Sequence, residues 1–276
     1  MSGPNDLMPG NELNDNCTEI FQQEGTKKMS TKSVIAGIDK AVDNFSKQNR
    51  MLNEPMTKGR AYMFVMQHRL NTRQRNSVLK LRVATNTPVW DVKMDILEAC
   101  VEELVSDVEH GDGRPHWKVL EDLGVDCGMK RAQITKATPL PSTRVAWRAW
   151  DGLMSNRHWL LGMMANTCAE RANIPGYGKG EVRKKGWFGN ENRRWGKLFG
   201  LTEEQRLFFG MHSEADIKHS DLGWKTVADH AVKLHMEDEV VDACEENLFV
   251  WDYYLNGIAD AGDALNKKMG WRQSVK

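Results

Sequence analysis

The chain has 276 residues, enough to bury a substantial hydrophobic core in one large domain or two small ones. Lysine plus arginine and aspartate plus glutamate both number 38, so the formal net charge is zero, and we expect neither nucleic acid nor a membrane as partner. The five cysteines form no Cys-x-x-Cys pair and no long apolar run is present, which predicts a cytoplasmic protein with reduced thiols.

The first 28 residues are polar and lack periodicity, which predicts a mobile tail, and we expect 29–276 to form one domain. From about residue 31 onward the apolar residues recur with the period of a helix, and no run alternates with the period of a strand. The fold class is therefore predicted to be all-α. Helices are predicted over 30–48, 58–70, 71–86, 89–110, 116–124, 142–175, 179–200, 201–235 and 239–261, with a connector at 125–142. Thr202, with Gln205 three residues later, forms a capping-box pattern that predicts the start of the helix at 201–235.

The segment "MHSEADIKH" carries three metal-capable residues at positions i, i+4 and i+7 of a predicted helix. These residues are His212, Asp216 and His219. Each helical residue turns the chain by about 100°, so the three share one face. A buried aspartate without a partner would cost several kcal/mol, which either a bound metal or a closed hydrogen-bond network would offset.

Further ligand-type residues lie on other predicted helices. Glu170 interrupts an apolar run, and His116 follows the helix break "GDGRP". His110 competes with His116, but a histidine near a helix C-terminus is favoured by the helix dipole alone, so we favour His116. Mixed carboxylate and imidazole ligands suit iron or manganese better than zinc.

The helix at 89–110 offers several glutamates. If its apolar stripe is centred on Val101, then Glu102 and Glu109 lie at the edge of the stripe and Glu103 points away from it. This stripe is predicted to contain Met94, Leu97, Val101, Leu104, Val105 and Val108.

The chain resembles the haem-oxygenase-like di-iron oxidases and oxygenases, which are related to pyrroloquinoline-quinone synthase and TenA-type proteins. The run His212-x3-Asp216-x2-His219 matches the third ligand helix of that family, and "CAERANIP" resembles the segment that supplies its middle glutamate, here Glu170. "EACVEELVSDVEHGDGRPHWKVLEDLGV" resembles the first ligand segment and gives His116. The resemblance leaves Glu102 and Glu109 open as the first carboxylate. Ferritin-like bundles are disfavoured because the chain has no Glu-x-x-His.

The resemblance implies a bundle of about seven core helices, two Fe(2+) ions per chain and O2 as co-substrate, with a bridging peroxo intermediate. It further implies N-oxygenation, desaturation or oxidative C–C cleavage of a small amine, amino acid or carboxylate, an external electron donor, and a homodimer as one oligomeric state. Two alternatives stay open. One is a metal-free enzyme or ligand-binding protein on the same bundle, and the other is a helical interaction module.

Aromatic residues on the flanking helices are candidates for substrate binding. Trp147, Trp150 and Trp224 are predicted to form an aromatic wall near the metals. A cationic group near that wall would bind a carboxylate, and the segment "VRKKGWFGNENRRW" offers several. Arg60, Arg69 and Arg73 are further candidates for this role, with exposure to solvent as the alternative.

Overall fold

The computed structural model describes residues 30–110 and 112–276, with side chains over the same ranges except 213–223. The predicted tail at 1–28 therefore lies outside the described residues. The α-helices are α1 Thr31–Gln48, α2 Arg50–Asn53, α3 Lys58–Gln74, α4 Leu81–Asn86, α5 Trp90–Leu104, α6 His116–Asp126, α7 Arg131–Thr135, α8 Pro141–Ser155, α9 Trp159–Thr167, α10 Gly180–Phe199, α11 Leu207–Leu234 and α12 Glu237–Met269. Three short helices of other types are a π-helix at Arg75–Lys80 and 3-10 helices at Cys168–Asn173 and Glu204–Arg206. Two short strands, β1 Met56–Thr57 and β2 Ser274–Val275, pair antiparallel.

The helices pack as a bundle around α12, which confirms the all-α prediction. Helix α12 contacts α1, α3, α8 and α9, and α11 contacts α1, α9, α10 and α6. The core between them is closed by large side chains with almost no exposed surface, such as Trp150, Trp195 and Tyr254. Within the described ranges, no helix is both long and apolar enough to cross a membrane.

Local capping signals explain where two helices begin. Ser30 and Ser33 exchange hydrogen bonds at the start of α1, which satisfies backbone N–H groups that the helix leaves unpaired. Thr202 and Gln205 do the same before α11, since each backbone N–H donates to the other residue's side chain. The capping pattern predicted from the sequence at 202–205 is thus confirmed.

Two helix boundaries differ from the prediction. The segments 58–70 and 71–86 form one continuous helical run, because the π-helix at Arg75–Lys80 joins α3 to α4 without a turn. The predicted single helix at 142–175 is instead interrupted at 156–158, and it ends as the 3-10 helix Cys168–Asn173. Both differences change which side chains face the interior.

The prediction for 89–110 was wrong in both its length and its buried face. Helix α5 ends at Leu104, and the indole N–H of Trp117 donates to the Leu104 carbonyl at 3.2 Å. The predicted stripe is largely exposed: Val101 is 51% exposed and Val108 is 82% exposed. The buried residues of α5 are Val92, Ile96 and Cys100.

Two glycines allow α3 and α12 to cross at close range. A Cβ atom on Gly262 would lie 2.5 Å from the Cα of Arg60, and a Cβ on Gly59 would overlap the carbonyl oxygen of Gly262. The obstacles are backbone atoms, which cannot rotate away as a side chain can. This crossing holds α3, and the π-helix that continues from it, against the core.

We therefore expect Gly262→Ala to lower the free energy of unfolding by about 1–3 kcal/mol through overpacking. Gly152→Ala is the matched control, since Gly152 lies within α8 and a Cβ there would meet nothing within 4 Å. The control should raise the free energy of unfolding by about 0.5–1 kcal/mol, because alanine is the better helix former. Urea denaturation followed by circular dichroism measures both, and equal effects of the two variants would contradict the close crossing.

Candidate metal centre

The π-helix Arg75–Lys80 brings polar side chains into the bundle. Its i→i+5 hydrogen bonding places residues five apart on one face, and π-helical segments occur frequently at functional sites. Arg75, Asn76 and Lys80 are all buried there, with at most 6% of each residue exposed. Two cations on one buried turn require partners inside the protein.

Three metal-capable side chains from three different helices meet beside this turn. They are Glu103 near the end of α5, His116 at the first residue of α6, and His212 in α11. One ligand-type atom from each lies within 4.8 Å of the others. Among the described side chains, this is the one group of three or more with metal-binding spacing.

Hydrogen bonds to backbone and carboxylate groups orient both imidazoles of this cluster. His212 Nδ1 lies 2.7 Å from the carbonyl oxygen of Phe208, so Nδ1–H donates there and Nε2 keeps its lone pair. His116 Nε2 lies 2.9 Å from Oδ2 of Asp107, which leaves Nδ1 on the side facing Glu103. Metal-binding histidines usually donate their second ring N–H in this way, which fixes the tautomer and the ring plane.

Asp107 is held firmly enough to orient His116. Only 1% of its surface is exposed, and its Oδ1 accepts the backbone N–H of His110 at 2.8 Å. Its carbonyl oxygen also accepts the N–H of Gly113 at 2.7 Å. The loop between α5 and α6 thus places this carboxylate behind the imidazole.

The pKa values follow from burial and from the two carboxylates. Burial opposes protonation of His116, but Glu103 and Asp107 outweigh it and raise the pKa of His116 to about 9. Burial also opposes ionisation of Glu103, yet His116 and Lys80 hold the pKa of Glu103 below its usual range. Burial, with the charge of His116 adding to it, lowers the pKa of His212 to about 3. A proton on His116 therefore supplies the positive charge that a metal ion would supply.

The cluster fits a divalent iron ion. His116 Nδ1 is buried and makes no hydrogen bond of good geometry; its nearest carboxylate oxygen is Glu103 Oε2 at 3.4 Å. Two histidines and one carboxylate are the ligand set of many non-haem Fe(II) sites. The unpartnered nitrogen is the feature that a metal would satisfy.

A cavity of about 70 Å³ extends from this cluster to Glu170. Glu170 lies in the 3-10 helix Cys168–Asn173, and its Oε1 is 3.5 Å from Lys80 Nζ. The described residues that line the cavity are His68, Asn71, Thr72, Arg75, Asn76, Lys80, Glu103, Ala169, Glu170, Asn173, Trp187, Phe188, His212 and Trp251. Glu170 therefore faces the same space as Glu103 and His212.

A bend in α10 supplies the aromatic part of this lining. Gly186 has φ of 71° inside the helix, and a Cβ there would overlap the carbonyl group of Asn173. Only glycine adopts such a conformation without strain. The bend lets the chain pass close to the 3-10 segment and brings Trp187 and Phe188 into the cavity wall.

The structure brings together His116, Glu170 and His212 of the predicted ligands, but not the predicted first carboxylates. Glu102 is half-buried outside the cluster, and the side chain of Glu109 is 62% exposed and lies 3.8 Å from His110. Glu103, which was expected to point away, takes the place instead, because it continues the buried face of α5. The side chains of Asp216 and His219 lie outside the described residues, although the backbone of α11 is helical through both.

The tryptophans predicted to bind substrate do not line the cavity. The indole of Trp147 donates to Asn71, that of Trp150 donates to Asn247, and Trp224 packs against the guanidinium of Arg171. Trp187 and Trp251 line it instead. Periodicity could not separate these from other buried tryptophans, because all of them occupy interior positions.

The arginines considered for carboxylate binding have other partners. Arg60 pairs with Asp263 and Glu54, Arg69 pairs with Glu121, and the exposed Arg73 lies over the ring of Trp117. The two buried cations at the cavity, Arg75 and Lys80, were missed because the sequence carries no sign of the π-helix.

The family model described as "Iron-containing redox enzyme" matches residues 63–252. The chain belongs to this family of iron-containing redox enzymes with a haem-oxygenase-like fold. The matched range contains α5, α6 and α11, and hence every residue of the candidate metal centre. Iron is therefore the metal that the family implies for it.

Solved structures show the same fold. One is a domain of unknown function with a haem-oxygenase-like fold from Shewanella denitrificans, which is 13% identical in sequence. The alignment has a TM-score of 0.66 and covers 88% of this chain and 96% of that one. A comparison of this chain with curated proteins finds no significant match.

Proposed function

We propose that the protein is a non-haem di-iron oxidase or oxygenase that acts on a small amine, amino acid or carboxylate. The observation that carries this proposal is the cluster of Glu103, His116 and His212, in which the carboxylate oxygen nearest to the buried His116 Nδ1 is Glu103 Oε2, at 3.4 Å. Membership of an iron-containing redox family supports the choice of metal. The amine and amino-acid part rests on the family resemblance.

The first iron would be held by Glu103, His116 and His212. The roles of the neighbouring side chains follow from their contacts. Asp107 fixes the ring of His116, and the Phe208 carbonyl fixes the ring of His212, so both donor nitrogens are set before a metal arrives. Such preorganisation raises affinity because little side-chain freedom is lost on binding.

The second iron would be held by Glu170 together with Asp216 and His219. Glu170 lines the same cavity as Glu103, and positions 212, 216 and 219 share one face of the helical backbone of α11. Without a metal, the ammonium group of Lys80 partly neutralises Glu170. A second ion would take over that role.

Ferrous iron bound here would supply electrons to O2 and an open coordination position for it. The protein's own contribution is to position the ligands and to keep water out. Trp187, Phe188 and Trp251 form the apolar part of the wall, and each has little exposed surface. A small cavity with such a wall strengthens the electrostatic interactions inside it.

Anaerobic loading with Fe(II), followed by measurement of iron per chain, tests the proposal. We expect about two irons in the natural protein, about one in Glu170→Ala and in His219→Ala, and consumption of O2 only by the fully loaded protein. His230→Ala is the matched control for the second variant. His230 is also on α11, but its ring packs against Trp159 away from the cavity, so iron content should not change.

A metal-free enzyme or binding protein on the same bundle is the second candidate. It is favoured by one observation: His116 lies 3.4 Å from Glu103 and 2.9 Å from Asp107. These carboxylates raise the pKa of His116 to about 9, and its protonation would compensate charge in the cluster without a metal. No iron in the natural protein, with both variants merely less stable, would contradict the di-iron proposal and support this candidate.

A further inference from the structure

Arg75 carries a buried positive charge that no described carboxylate pairs with. Its Nη2 donates to the carbonyl oxygens of Ala165 and Asn166, both at 2.9 Å. Its Nε is fully buried and has no hydrogen-bond partner, and Nη1 donates to no described residue. Arginine stays charged in proteins, so this guanidinium cannot avoid the cost of burial by losing its proton.

The guanidinium is also fixed in position. Its central carbon lies 5.6 Å from the ring centre of Trp150 and 5.4 Å from that of Trp251. The two carbonyl bonds and the two indoles hold the plane of the group, while Arg75 lines the cavity that reaches Glu103 and His212. An anion entering the cavity would therefore meet donors that are already oriented.

The amides around Arg75 add hydrogen-bond donors. The side-chain oxygen of Asn71 accepts the indole N–H of Trp147, which leaves the NH2 group of Asn71 as a donor. Asn76 lies on the same buried turn and lines the cavity as well. These donors line the same cavity as Arg75, and Lys80 adds a second cation to it.

The net charge of the cavity also favours an anion as its ligand. The described charged residues of the cavity are two cations, Arg75 and Lys80, and two carboxylates, Glu103 and Glu170, so their charges cancel. The two proposed ferrous ions add four positive charges, the further proposed ligand Asp216 adds one negative charge, and histidines that bind the ions are neutral. The loaded cavity therefore has a positive surplus, which disfavours a cationic amine and favours an anion.

We propose that Arg75 is the anchor for a substrate carboxylate, and that the cavity selects small carboxylates over the corresponding amines. This inference rests on the proposed function and narrows its substrate class. The substrate would carry its carboxylate toward the π-helix and place the adjoining carbon atoms against Trp251 and the metal ligands.

Three probes of equal length test the inference: butyrate, n-butanol and n-butylamine. Calorimetric titration is done under argon on protein loaded with Mn(II) and on metal-free protein. We expect the natural protein to bind butyrate best and butylamine worst. We expect Arg75→Met to lose about 10- to 100-fold in butyrate affinity, the range for a charge-assisted hydrogen bond.

Arg73→Met is the matched control, because it removes an arginine two residues away whose side chain faces outward over Trp117. Butyrate affinity should stay within about threefold of the natural protein. Arg75→Lys is the second variant, which keeps the charge but not the planar fork of donors. It should lose less butyrate affinity than Arg75→Met. If Arg75→Met does not fold, then the butyrate affinity of Arg75→Lys and the ranking of the three probes by affinity decide whether the inference holds.

Butylamine binding as tight as that of butyrate, or unchanged butyrate binding in a folded Arg75→Met variant, would overturn the inference. Failure of the proposed function gives a different result. In that case the protein takes up no metal, yet butyrate binding to the metal-free protein still depends on Arg75.

Discussion

Replacing Glu103 with glutamine should lower the affinity for a divalent metal ion by about 100-fold or more. Even residues that only orient a metal ligand contribute about 10- to 100-fold, and Glu103 is the carboxylate of the cluster itself. An amide is a neutral and poorer ligand, and it also removes the counter-charge that faces Lys80 and His116. The same substitution at Glu102 should change the affinity by no more than about threefold, since Glu102 lies outside the cluster.

Competition between the protein and a chelator for Mn(II), followed by electron paramagnetic resonance of the free ion, measures both affinities. The two variants are isosteric changes at adjacent residues of one helix, so general effects on α5 should appear in both. Circular dichroism shows whether each variant is folded. A loss of affinity in Glu102→Gln with none in Glu103→Gln would reject the site geometry and restore the first carboxylate that the sequence suggested.

The error at Glu103 shows what a helical pattern can and cannot predict. The apolar residues of 89–110 form more than one stripe, and the sequence does not say which of them faces the bundle. The buried residues Val92, Ile96 and Cys100 are spaced by four, and Glu103 follows three later on the same face. The position of Glu103 in line with this short apolar stripe was the one feature of the sequence that indicated its burial. The stripe around Val101 is more strongly apolar and was therefore taken as the buried face.

Features that depend on local chemistry were predicted well. The capping residues Thr202 and Gln205 act as expected, and the α11 backbone is helical through 212, 216 and 219. His116 was preferred to His110, and the structure places His116 in the cluster. The roles of Asp216 and His219 stay predictions, because their side chains lie outside the described residues.

The cations of the cavity could not have been predicted. In an α-helix, residues i and i+5 lie on different faces, so Arg75 and Lys80 would not face one space. The π-helix between them changes that, and residues 75–80 carry no sequence pattern that predicts it. The sequence therefore indicated the two histidines of the cluster more clearly than the two cations of the cavity.

The affinity for Mn(II) should rise about tenfold per pH unit between pH 7 and pH 9. In metal-free protein, Glu103 and Asp107 raise the pKa of His116 to about 9, so His116 holds a proton throughout this range. A metal ion can bind at His116 only after that proton leaves, and so the ion held there displaces about one proton. Raising the pH lowers the free-energy cost of removing this proton, and the affinity for Mn(II) therefore rises with pH. Above about pH 9 the imidazole is already neutral and the affinity should level off.

Asp107→Asn separates this proton competition from other effects of pH. Loss of the carboxylate lowers the His116 pKa, so the affinity should level off at a lower pH, even though the affinity itself falls about 10- to 100-fold. Calorimetry in buffers of different ionisation enthalpy counts the protons released at pH 7. An affinity that does not change between pH 7 and 9, with no proton released, would mean that His116 is not a ligand. The metal would then have to lie on the Glu170 side of the cavity, where Lys80 is the cation it displaces.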